Sequence, residues 1–467
     1  MSIQQSHTEV LIIGGGPAGI SFCRKLKKLK PEKKITALRP EKRSMVYCAI
    51  PYALEGLFDH HKTLKRDELI TDTGAILIQR SAKEIDLQAK RVVDEAGDVY
   101  TADVIFIATG ARNMIPPIEG VDAKNIHTVK TQDDMERLLL ALDNGARRAI
   151  VIGAGAIGIE QAQAYRARGL EVFLVDMASR VLPAMLDEDM AEPLHETLRT
   201  NGINLTLSSR VARIEKKEGK ANRVVLSKGN HIDLDPENDF ICLAVGMSPD
   251  VELFKNQGLE MNKDGIIVDS RMRTNIPGVY AAGDCCSFFS GIDKKPISGK
   301  LATNAVPMAK IAARVVAGKD DEYPGFFNGA ATCVYDYRIG STGFTKELAR
   351  QRGIEPVIGW GETTALFPMM PNSGKIRVKI VADVKDLRVI GGQIVSSLPA
   401  TDKTDIITLA IQRGLTLKGL SKLSYSAQPW QSFMPAQTSI VQACENALDS
   451  FMEKNKEIVY PDVLECV

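Results

Sequence analysis

One cysteine of the sequence has neighbours that suit redox chemistry. Cys48 lies in the stretch RSMVYCAIPYALEG, with no second cysteine close to it. Pro51 is well suited to a first helical turn, which would leave the sulfur near a helix N-terminus, where unpaired N–H groups stabilise a thiolate. A thiolate can attack a sulfur–sulfur bond and hold one half as a mixed disulfide until two electrons release it. We therefore expect Cys48 to act as a nucleophile without a second cysteine.

Two glycine-rich turns indicate a second kind of chemistry. EVLIIGGGPAGISFCRKL and RAIVIGAGAIGIEQAQAY each contain an apolar run, a GxGxxG turn and a helical continuation. The first glycine permits a tight turn, the second lets the backbone approach a pyrophosphate, and the third allows close packing of helix on strand. The glycines concerned are Gly14, Gly16 and Gly19 in the first turn and Gly153, Gly155 and Gly158 in the second. Their repetition predicts two dinucleotide sites.

The residues that would meet the adenosine ribose differ between the two copies. Asp176 ends the apolar run in EVFLVDMASR, where a carboxylate accepts hydrogen bonds from a ribose diol and repels a 2′-phosphate. This favours NADH, although the nearby Arg180 keeps NADPH open as an alternative. In the first copy, KITALRPEKR has Leu38 and Arg39 at the corresponding place, with Glu41 as an acid that could reach the ribose instead.

The elements that position these turns predict an α/β fold with one dinucleotide domain inserted in another. VIFIATGARN, FICLAVGMSPD and VYAAGDCC all look like strands that run into glycine turns. We assign residues 1–112 and 246–325 to the first Rossmann-like domain and 113–245 to the second. From residue 326 to 467 the pattern changes to antiparallel strands and helices, which predicts an α+β domain.

Composition excludes several classes of protein. The 467 residues carry a formal net charge of +1, which gives no electrostatic footprint for nucleic acid. No apolar run is long enough to cross a bilayer, and the N-terminus lacks the features of a signal peptide. The eight cysteines include no CxxC, which argues against a zinc site or a disulfide framework. We expect a cytoplasmic protein with no metal, nucleic-acid partner or membrane association.

Taken in order, the motifs GGGPAG, ATG, GAGAIGIE, VGMSPD and VYAAGD resemble the two-dinucleotide flavoprotein disulfide reductase superfamily. The resemblance implies FAD at the first fingerprint and a nicotinamide nucleotide at the second. It also implies that Glu160 lies near the flavin and nicotinamide, and that Asp284 contacts the ribityl chain of FAD. The remaining residues predicted to contact the cofactors are Pro17, Ala18, Thr109, Gly110, Ala156, Ile157, Gly246, Gly283 and Ala302.

The lone Cys48 in SMVYCAIPYALEG is similar to the single-cysteine branch of this superfamily. That branch includes coenzyme A disulfide reductases, NAD(P)H-dependent persulfide or polysulfide reductases, and NADH oxidases and peroxidases. By resemblance, Arg24, Lys27 and Lys28 would hold the phosphates of coenzyme A and Ser44 would contact the same ligand. The alternatives are a solvated basic face for the three cations and a turn residue for Ser44.

The C-terminal stretch DKTDIITLAIQRGLTLKGLSKLSYS resembles the superfamily's dimerisation domain, and this resemblance implies a homodimer. Tyr425 matches a tyrosine near the partner's active site, where a phenol could protonate a leaving thiolate. An interface aromatic is the alternative role of this residue. Cys466, one residue from the end, could shuttle electrons or could be a dispensable tail residue.

Together these features predict an FAD-dependent, NADH-preferring reductase of a sulfur–sulfur bond in coenzyme A disulfide, coenzyme A persulfide or polysulfide. One alternative is an NADH oxidase or peroxidase that uses a cysteine sulfenic acid. Pro17 stands near the place where those enzymes have a histidine, which favours sulfur over oxygen. Another alternative is a reductase of an electron-carrier protein such as a rubredoxin or ferredoxin, with Cys48 structural.

Overall fold

The structure is a computed structural model that describes residues 3–454. It contains two compact units. The first comprises the chain up to Ser179 together with Asn201–Asn328, and the second comprises Arg180–Thr200 and the chain from Gly329 onward. Among the described residues, no helix is both long and apolar enough to cross a membrane.

A seven-stranded sheet forms the core of the first unit. Its central strand, Gln5–Ile13, pairs in parallel with Ile35–Leu38 on one side and Val99–Ile107 on the other. The last four residues of the central strand are buried, with at most 4% of any of them exposed. This is expected where helices cover both faces of a parallel sheet. Six of the strands lie in the order Ile76–Ile78, Ile35–Leu38, Gln5–Ile13, Val99–Ile107, Arg91–Asp94 and Ala82–Asp86, and the seventh, Val279–Ala281, pairs with Val99–Ile107 outside this order.

A second sheet in the first unit has five parallel strands. In order across the sheet they are Ile203–Thr206, Glu171–Val175, Arg148–Ile152, Asp239–Leu243 and Ile126–Thr128. Three antiparallel strands accompany it: Val211–Lys217, Lys220–Leu226 and His231–Asp233. Both central sheets therefore have the Rossmann-like form that the sequence predicts.

The chain returns to the first sheet after completing the second. Val279–Ala281 pairs in parallel with Val99–Ile107, so strands from before and after the five-stranded sheet share one sheet. The two connecting segments also pair with each other, because Ala111–Asn113 lies antiparallel to Met247–Pro249. This topology confirms the predicted insertion of one dinucleotide fold in another, although the domain boundaries stay a prediction.

The remaining elements of the first unit complete its layers. The helix Ala302–Val316 packs against the first fingerprint helix, Pro17–Leu29. A four-stranded sheet contains Met261–Asn262, Gly265–Ile267, Cys286–Phe289 and Pro296–Ile297. The other α-helices of this unit are Ile50–Glu55, Glu68–Thr71, Gln132–Asp143 and Ala156–Ala167.

The second unit is built on a five-stranded antiparallel sheet, as the change of pattern after residue 326 predicts. In order its strands are Ala330–Val334, Tyr337–Gly343, Val389–Ser396, Lys375–Asp383 and Pro356–Thr364. A Cβ at Gly359 would lie 1.8 Å from the Ala443 carbonyl oxygen, so this glycine lets the helix Ser439–Lys454 pack directly on the edge strand. The other helices are Glu188–Thr200, Lys346–Gln351, Thr401–Gln412 and Leu417–Ser421.

A buried ion pair joins the segment Arg180–Thr200 to this antiparallel sheet. The Lys379 side chain has no exposed surface, and its ammonium lies 2.7 Å from a carboxylate oxygen of Asp187 and 2.9 Å from Asp189. The Gln393 amide also donates a hydrogen bond to Asp187 at 2.7 Å. Burial alone raises the pKa of Asp187, but the Lys379 ammonium and these hydrogen bonds outweigh it, so the pKa lies below its ordinary value.

Candidate active site

The first glycine turn connects the strand Gln5–Ile13 to the helix Pro17–Leu29. Gly14 has φ of +111°, and a Cβ there would lie 2.2 Å from the Ala108 carbonyl oxygen. A Cβ at Gly19 would lie 2.0 Å from the carbonyl oxygen of Gly14. At Gly16, by contrast, the nearest atom is the Tyr47 hydroxyl oxygen at 3.9 Å. The first and third glycines are therefore needed for packing, whereas the second faces open space.

The second glycine turn, between Arg148–Ile152 and Ala156–Ala167, repeats this arrangement. Gly153 has φ of +110°, and a Cβ there would lie 2.4 Å from the Ala244 carbonyl oxygen. A Cβ at Gly158 would lie 1.8 Å from the carbonyl oxygen of Gly153, while one at Gly155 would meet nothing within 4 Å.

Both turns therefore fit a dinucleotide pyrophosphate. In each, the glycine before the helix leaves space beside the free N–H groups of the first helical turn, which is the arrangement that binds an anion. One helix begins at Pro17, which Ala18 follows, and the other begins at Ala156, which Ile157 follows. Glu160 lies one turn further along the second helix and is half-buried.

The Asp176 carboxylate is fixed next to the second turn. It follows the strand Glu171–Val175 directly, and one oxygen accepts a hydrogen bond from the Ala154 N–H at 2.5 Å. The other oxygen accepts from the Ala178 N–H at 2.7 Å. Two backbone donors thus hold the acid where the fingerprint predicts it. The Arg180 guanidinium, by comparison, donates to the Leu186 carbonyl at 2.7 Å and is paired with Glu347.

Arg39 has partners that the sequence did not reveal. Its side chain is 2% exposed, and the guanidinium lies 2.9 Å from a carboxylate oxygen of Asp67. It also donates to the carbonyl oxygens of Glu41 and Lys42, at 2.8 and 2.7 Å. Its stem lies against Gly15, where a Cβ would come within 2.5 Å of the Arg39 Cδ. The arginine supports the loop beside the first turn, and its contact with the nucleotide stays a prediction.

Cys48 lies at the start of a short helical segment. A 3₁₀ turn over Tyr47–Ala49 leads into the helix Ile50–Glu55, with Pro51 in the first turn, which confirms the predicted place of this proline. Among the cysteines of residues 3–454, Cys48 is the exposed one, whereas Cys333 is half-buried. The buried cysteines are Cys23, Cys242, Cys285, Cys286 and Cys444. Cys466 lies outside the described residues.

Tyr47 and Lys130 are site residues that sequence reasoning missed. The Tyr47 hydroxyl lies beside Gly16, and the Lys130 ammonium lies 5.3 Å from the centre of the Tyr47 ring. Burial raises the pKa of Tyr47 to about 12, and the charges of Glu41 and Asp284 act in the same direction. A signal was available, because Lys130 lies just beyond the carboxyl end of the parallel strand Ile126–Thr128, where α/β folds place ligand-binding residues.

Asp284, the acid at the end of the AAGD motif, interacts electrostatically with Lys130 and Tyr47. Burial raises its pKa, while the Lys130 and Lys300 ammonium groups oppose this effect. Burial in turn lowers the pKa of Lys130, against the attraction of Asp284 and Glu41. The structure therefore gathers a lysine, a tyrosine and two carboxylates around the first glycine turn.

Among the other predicted cofactor residues, Thr109, Gly110 and Gly283 follow strands of the first sheet, whereas Gly246 follows the strand Asp239–Leu243 of the second. The Thr109 hydroxyl donates to the Asp250 carbonyl at 2.6 Å, and the Gly246 carbonyl accepts from the Met114 N–H at 3.0 Å. A Cβ at Gly283 would lie 3.3 Å from the Ala18 Cβ, which brings the AAGD turn against the first fingerprint helix. Gly110 follows Thr109, and Ala302 begins the helix Ala302–Val316.

The predicted substrate residues have different surroundings. The Lys27 ammonium donates to the carbonyls of Pro31 and Lys33, at 2.7 and 3.0 Å, while Arg24 and Lys28 are exposed. Ser44 is 3% exposed, and its hydroxyl has no hydrogen-bond partner within residues 3–454.

In the second unit, Tyr425 is 42% exposed and its hydroxyl donates to the Pro435 carbonyl at 2.6 Å. The phenol is thus held by its own loop. Its predicted role at a partner's active site stays a prediction.

Comparison with known proteins agrees with this geometry. Residues 8–309 match the family model of the pyridine nucleotide-disulphide oxidoreductases. Residues 330–436 match the dimerisation domain of the same family.

Curated relatives and solved structures are similar over most of the chain. An NADH oxidase from Methanocaldococcus jannaschii is 31% identical over 460 residues, covering 95% of this chain and 99% of the relative. An NAD(P)H coenzyme A polysulfide/persulfide reductase from Pyrococcus horikoshii is 30% identical, covering 88% and 92%. The solved structure of an NAD-dependent persulfide reductase from A. fulgidus has a TM-score of 0.89 and 28% identity, covering 98% and 86%. The chain therefore belongs to the pyridine nucleotide-disulphide oxidoreductase family.

Proposed function

We propose that this enzyme is an FAD-dependent, NADH-preferring reductase of a sulfur–sulfur bond and that Cys48 is its nucleophile. The observation that carries the proposal is the position of the exposed Cys48 thiol, one residue after a tyrosine whose hydroxyl lies beside Gly16. In the sequence, Cys48 therefore directly follows a residue that lies beside the turn that fits a dinucleotide. The five cysteines that are buried have no comparable access to a substrate.

FAD, when bound at the first turn, would supply two-electron transfer from NADH to sulfur. The Cys48 thiolate attacks the substrate disulfide, a new sulfur–sulfur bond forms, and the first thiolate leaves and takes a proton from solvent. Two electrons and one proton then cleave the mixed disulfide, which restores the Cys48 thiolate and releases the second thiol. The overall balance is NADH, H⁺ and RSSR converted to NAD⁺ and two RSH.

The substrate class that we propose is coenzyme A disulfide, coenzyme A persulfide or polysulfide. The Pyrococcus horikoshii and A. fulgidus proteins, named for persulfide or polysulfide reduction, support this choice. Within this chain, the exposed Arg24 and Lys28 are available to a phosphate-bearing ligand, whereas the Lys27 ammonium is already held by two carbonyls. We also propose a homodimer, which the matched dimerisation domain supports, with Tyr425 serving the partner's site.

NADH oxidation by oxygen is the second candidate, because the Methanocaldococcus jannaschii relative carries that name and matches 95% of the chain. In that reaction Cys48 would pass through a sulfenic acid. The turn sequence argues for sulfur instead, since Pro17 occupies the approximate place of the histidine that oxidases and peroxidases of this superfamily carry.

Steady-state NADH consumption with each acceptor tests the proposal. We expect coenzyme A disulfide or polysulfide to be reduced faster than oxygen or peroxide, and Cys48→Ser to lower that rate roughly a thousandfold. NADH should still bleach the flavin of the variant, because its nucleotide turns are intact. Cys333→Ser is the matched control and should keep the wild-type rate. Full disulfide reduction by Cys48→Ser, or oxygen as the fastest acceptor, would contradict the proposal.

A further inference from the structure

The Tyr47 hydroxyl lies at the open side of the first glycine turn. A Cβ built on Gly16 would meet this oxygen at 3.9 Å and no other atom of the described chain within 4 Å. Gly16 is the glycine at which the backbone of this fingerprint approaches a pyrophosphate. The phenol therefore reaches the edge of the space that the phosphates of a nucleotide need.

The ring of Tyr47 is held in this position by contacts that do not use its hydroxyl. The preceding residue, Val46, donates its N–H to the Thr63 carbonyl at 2.7 Å, which fixes the start of the 3₁₀ turn. The Lys130 ammonium lies 5.3 Å from the ring centre, a distance at which a cation is attracted to an aromatic face. The same ammonium donates to the Met247 sulfur at 3.4 Å. These contacts orient the phenol and leave its oxygen available.

The hydroxyl makes no hydrogen bond to any residue within 3–454. Tyr47 is half-buried, and the phenol of a tyrosine in such a setting usually has a hydrogen-bond partner. Burial raises the pKa of Tyr47 to about 12, so the phenol keeps its proton at neutral pH and is a donor. A donor without a protein acceptor suits an acceptor that a ligand supplies.

The first glycine turn also has one backbone donor fewer than the second. Its helix begins at Pro17, whose nitrogen carries no hydrogen, whereas the helix of the second turn begins at Ala156. Anion binding at a helix N-terminus depends on the free N–H groups of the first helical turn. A hydroxyl donor beside Gly16 would offset the N–H that Pro17 lacks.

We propose that the Tyr47 hydroxyl donates a hydrogen bond to a pyrophosphate oxygen of FAD, which makes Tyr47 a cofactor-binding residue. This inference rests on FAD binding at the first turn, as in the proposed function, and adds a link between the cofactor and the turn that carries Cys48. Consecutive side chains of a 3₁₀ turn point about 120° apart, so the phenol and the Cys48 thiol can face different groups. Bound FAD would thus hold the Cys48 turn through the neighbouring tyrosine.

FAD release from the purified holoenzyme tests the inference, because Tyr47→Phe removes the hydroxyl and keeps the ring. Release is followed by the rise of flavin fluorescence after dilution. We expect Tyr47→Phe to release FAD roughly tenfold faster than wild type, since a hydrogen bond to a charged phosphate oxygen is among the stronger ones. The phosphorus NMR signals of the bound pyrophosphate should shift in this variant, while the visible absorption of the isoalloxazine ring should stay unchanged.

Tyr337→Phe is the matched control, since Tyr337 is a half-buried tyrosine of the second unit, and it should release FAD at the wild-type rate. Tyr47→Leu, which removes the ring as well, should release FAD at least as fast as Tyr47→Phe. If Tyr47→Phe kept the wild-type release rate and phosphorus signals, the inference would be overturned, and fast release by Tyr47→Leu alone would assign the effect to packing of the ring.

The same measurements separate this inference from the proposed function. A wild-type protein purified without flavin would refute the cofactor of the proposed function, and this is seen before any variant is compared. A wild-type release rate in Tyr47→Phe, in contrast, would refute only the role of the hydroxyl. Neither readout depends on which acceptor the enzyme reduces.

Discussion

Asp176 is a single carboxylate that the structure holds with two backbone N–H groups beside the second glycine turn. Because its charge repels a 2′-phosphate, we expect Asp176→Ser to raise the ratio of kcat/KM for NADPH to that for NADH about tenfold. The KM for NADH should rise as well, since the ribose loses an acceptor. Steady-state kinetics with both nucleotides measures this ratio, and Asp72→Ser, at an exposed acid elsewhere in the same unit, is the control. An unchanged ratio would show that another residue selects the nucleotide.

At the residue scale, the sequence alone predicted the positions of residues that depend only on their near neighbours in the chain. Asp176 and Pro51 have the predicted places because each depends on the few residues around it. Arg39 shows the limit of such reasoning: its partner Asp67 is 28 positions later, and the pair forms only when distant segments pack together. The contact between Lys130 and Tyr47 could not be predicted for the same reason, because it forms only when distant segments pack together.

At the scale of the element, we expect an added methyl group to have opposite effects on stability and nucleotide binding at Gly155 and Gly158 of the second fingerprint. A Cβ at Gly155 would meet no protein atom within 4 Å, so Gly155→Ala should fold with unchanged thermal stability. The added methyl group would occupy space that a pyrophosphate needs, and we expect the KM for NADH to rise roughly tenfold. Thermal unfolding and NADH kinetics on the same preparation check both statements.

Gly158→Ala is the counterpart, because its Cβ would lie 1.8 Å from the Gly153 carbonyl oxygen. That clash involves two backbone segments, so we expect a loss of about 2 kcal/mol or more in the free energy of unfolding. If Gly158→Ala were as stable as wild type, or if Gly155→Ala unfolded early, the division of roles between the glycines would be wrong.

Elements of this kind were predictable because strand, turn and helix follow one another within 25 residues in the first fingerprint and 20 in the second. The apolar run, the glycines and the helical continuation are contiguous in both fingerprints. The pairing of Ala111–Asn113 with Met247–Pro249 was not predicted, since two three-residue strands more than 130 positions apart have no pattern in common.

At the scale of the whole molecule, the buried contact between Lys379 and Asp187 links segments that are 192 positions apart. Removing the charge of Asp187 would leave the Lys379 ammonium buried with less compensation. We expect Asp187→Asn to lower the free energy of unfolding at pH 7 by about 3 kcal/mol. Asp189→Asn should cost under about 1 kcal/mol, because the Asp189 side chain is 46% exposed. Thermal unfolding of the two variants side by side makes the comparison.

The same pair predicts how stability depends on pH. The pKa of Asp187 is lowered in the folded protein, so its stabilising contribution is complete above the ordinary carboxyl pKa of about 4. That contribution is lost as the pH falls through the lowered value. The difference in unfolding temperature between wild type and Asp187→Asn should therefore be largest near neutral pH and shrink in acid. A difference that stayed constant down to pH 3 would show that the charge of Asp187 is not responsible.

The chain passes from one compact unit to the other three times, because Arg180–Thr200 leaves the first unit to join the sheet of the second and then returns. A chimaera that grafts only the portion after Gly329 onto a relative would import Lys379 without the carboxylates that neutralise it. Such a graft works only if the donor's loop and helix at 180–200 travel with it. Where the relative lacks acids at these two positions, transfer of this unit therefore requires two separate stretches of sequence at once.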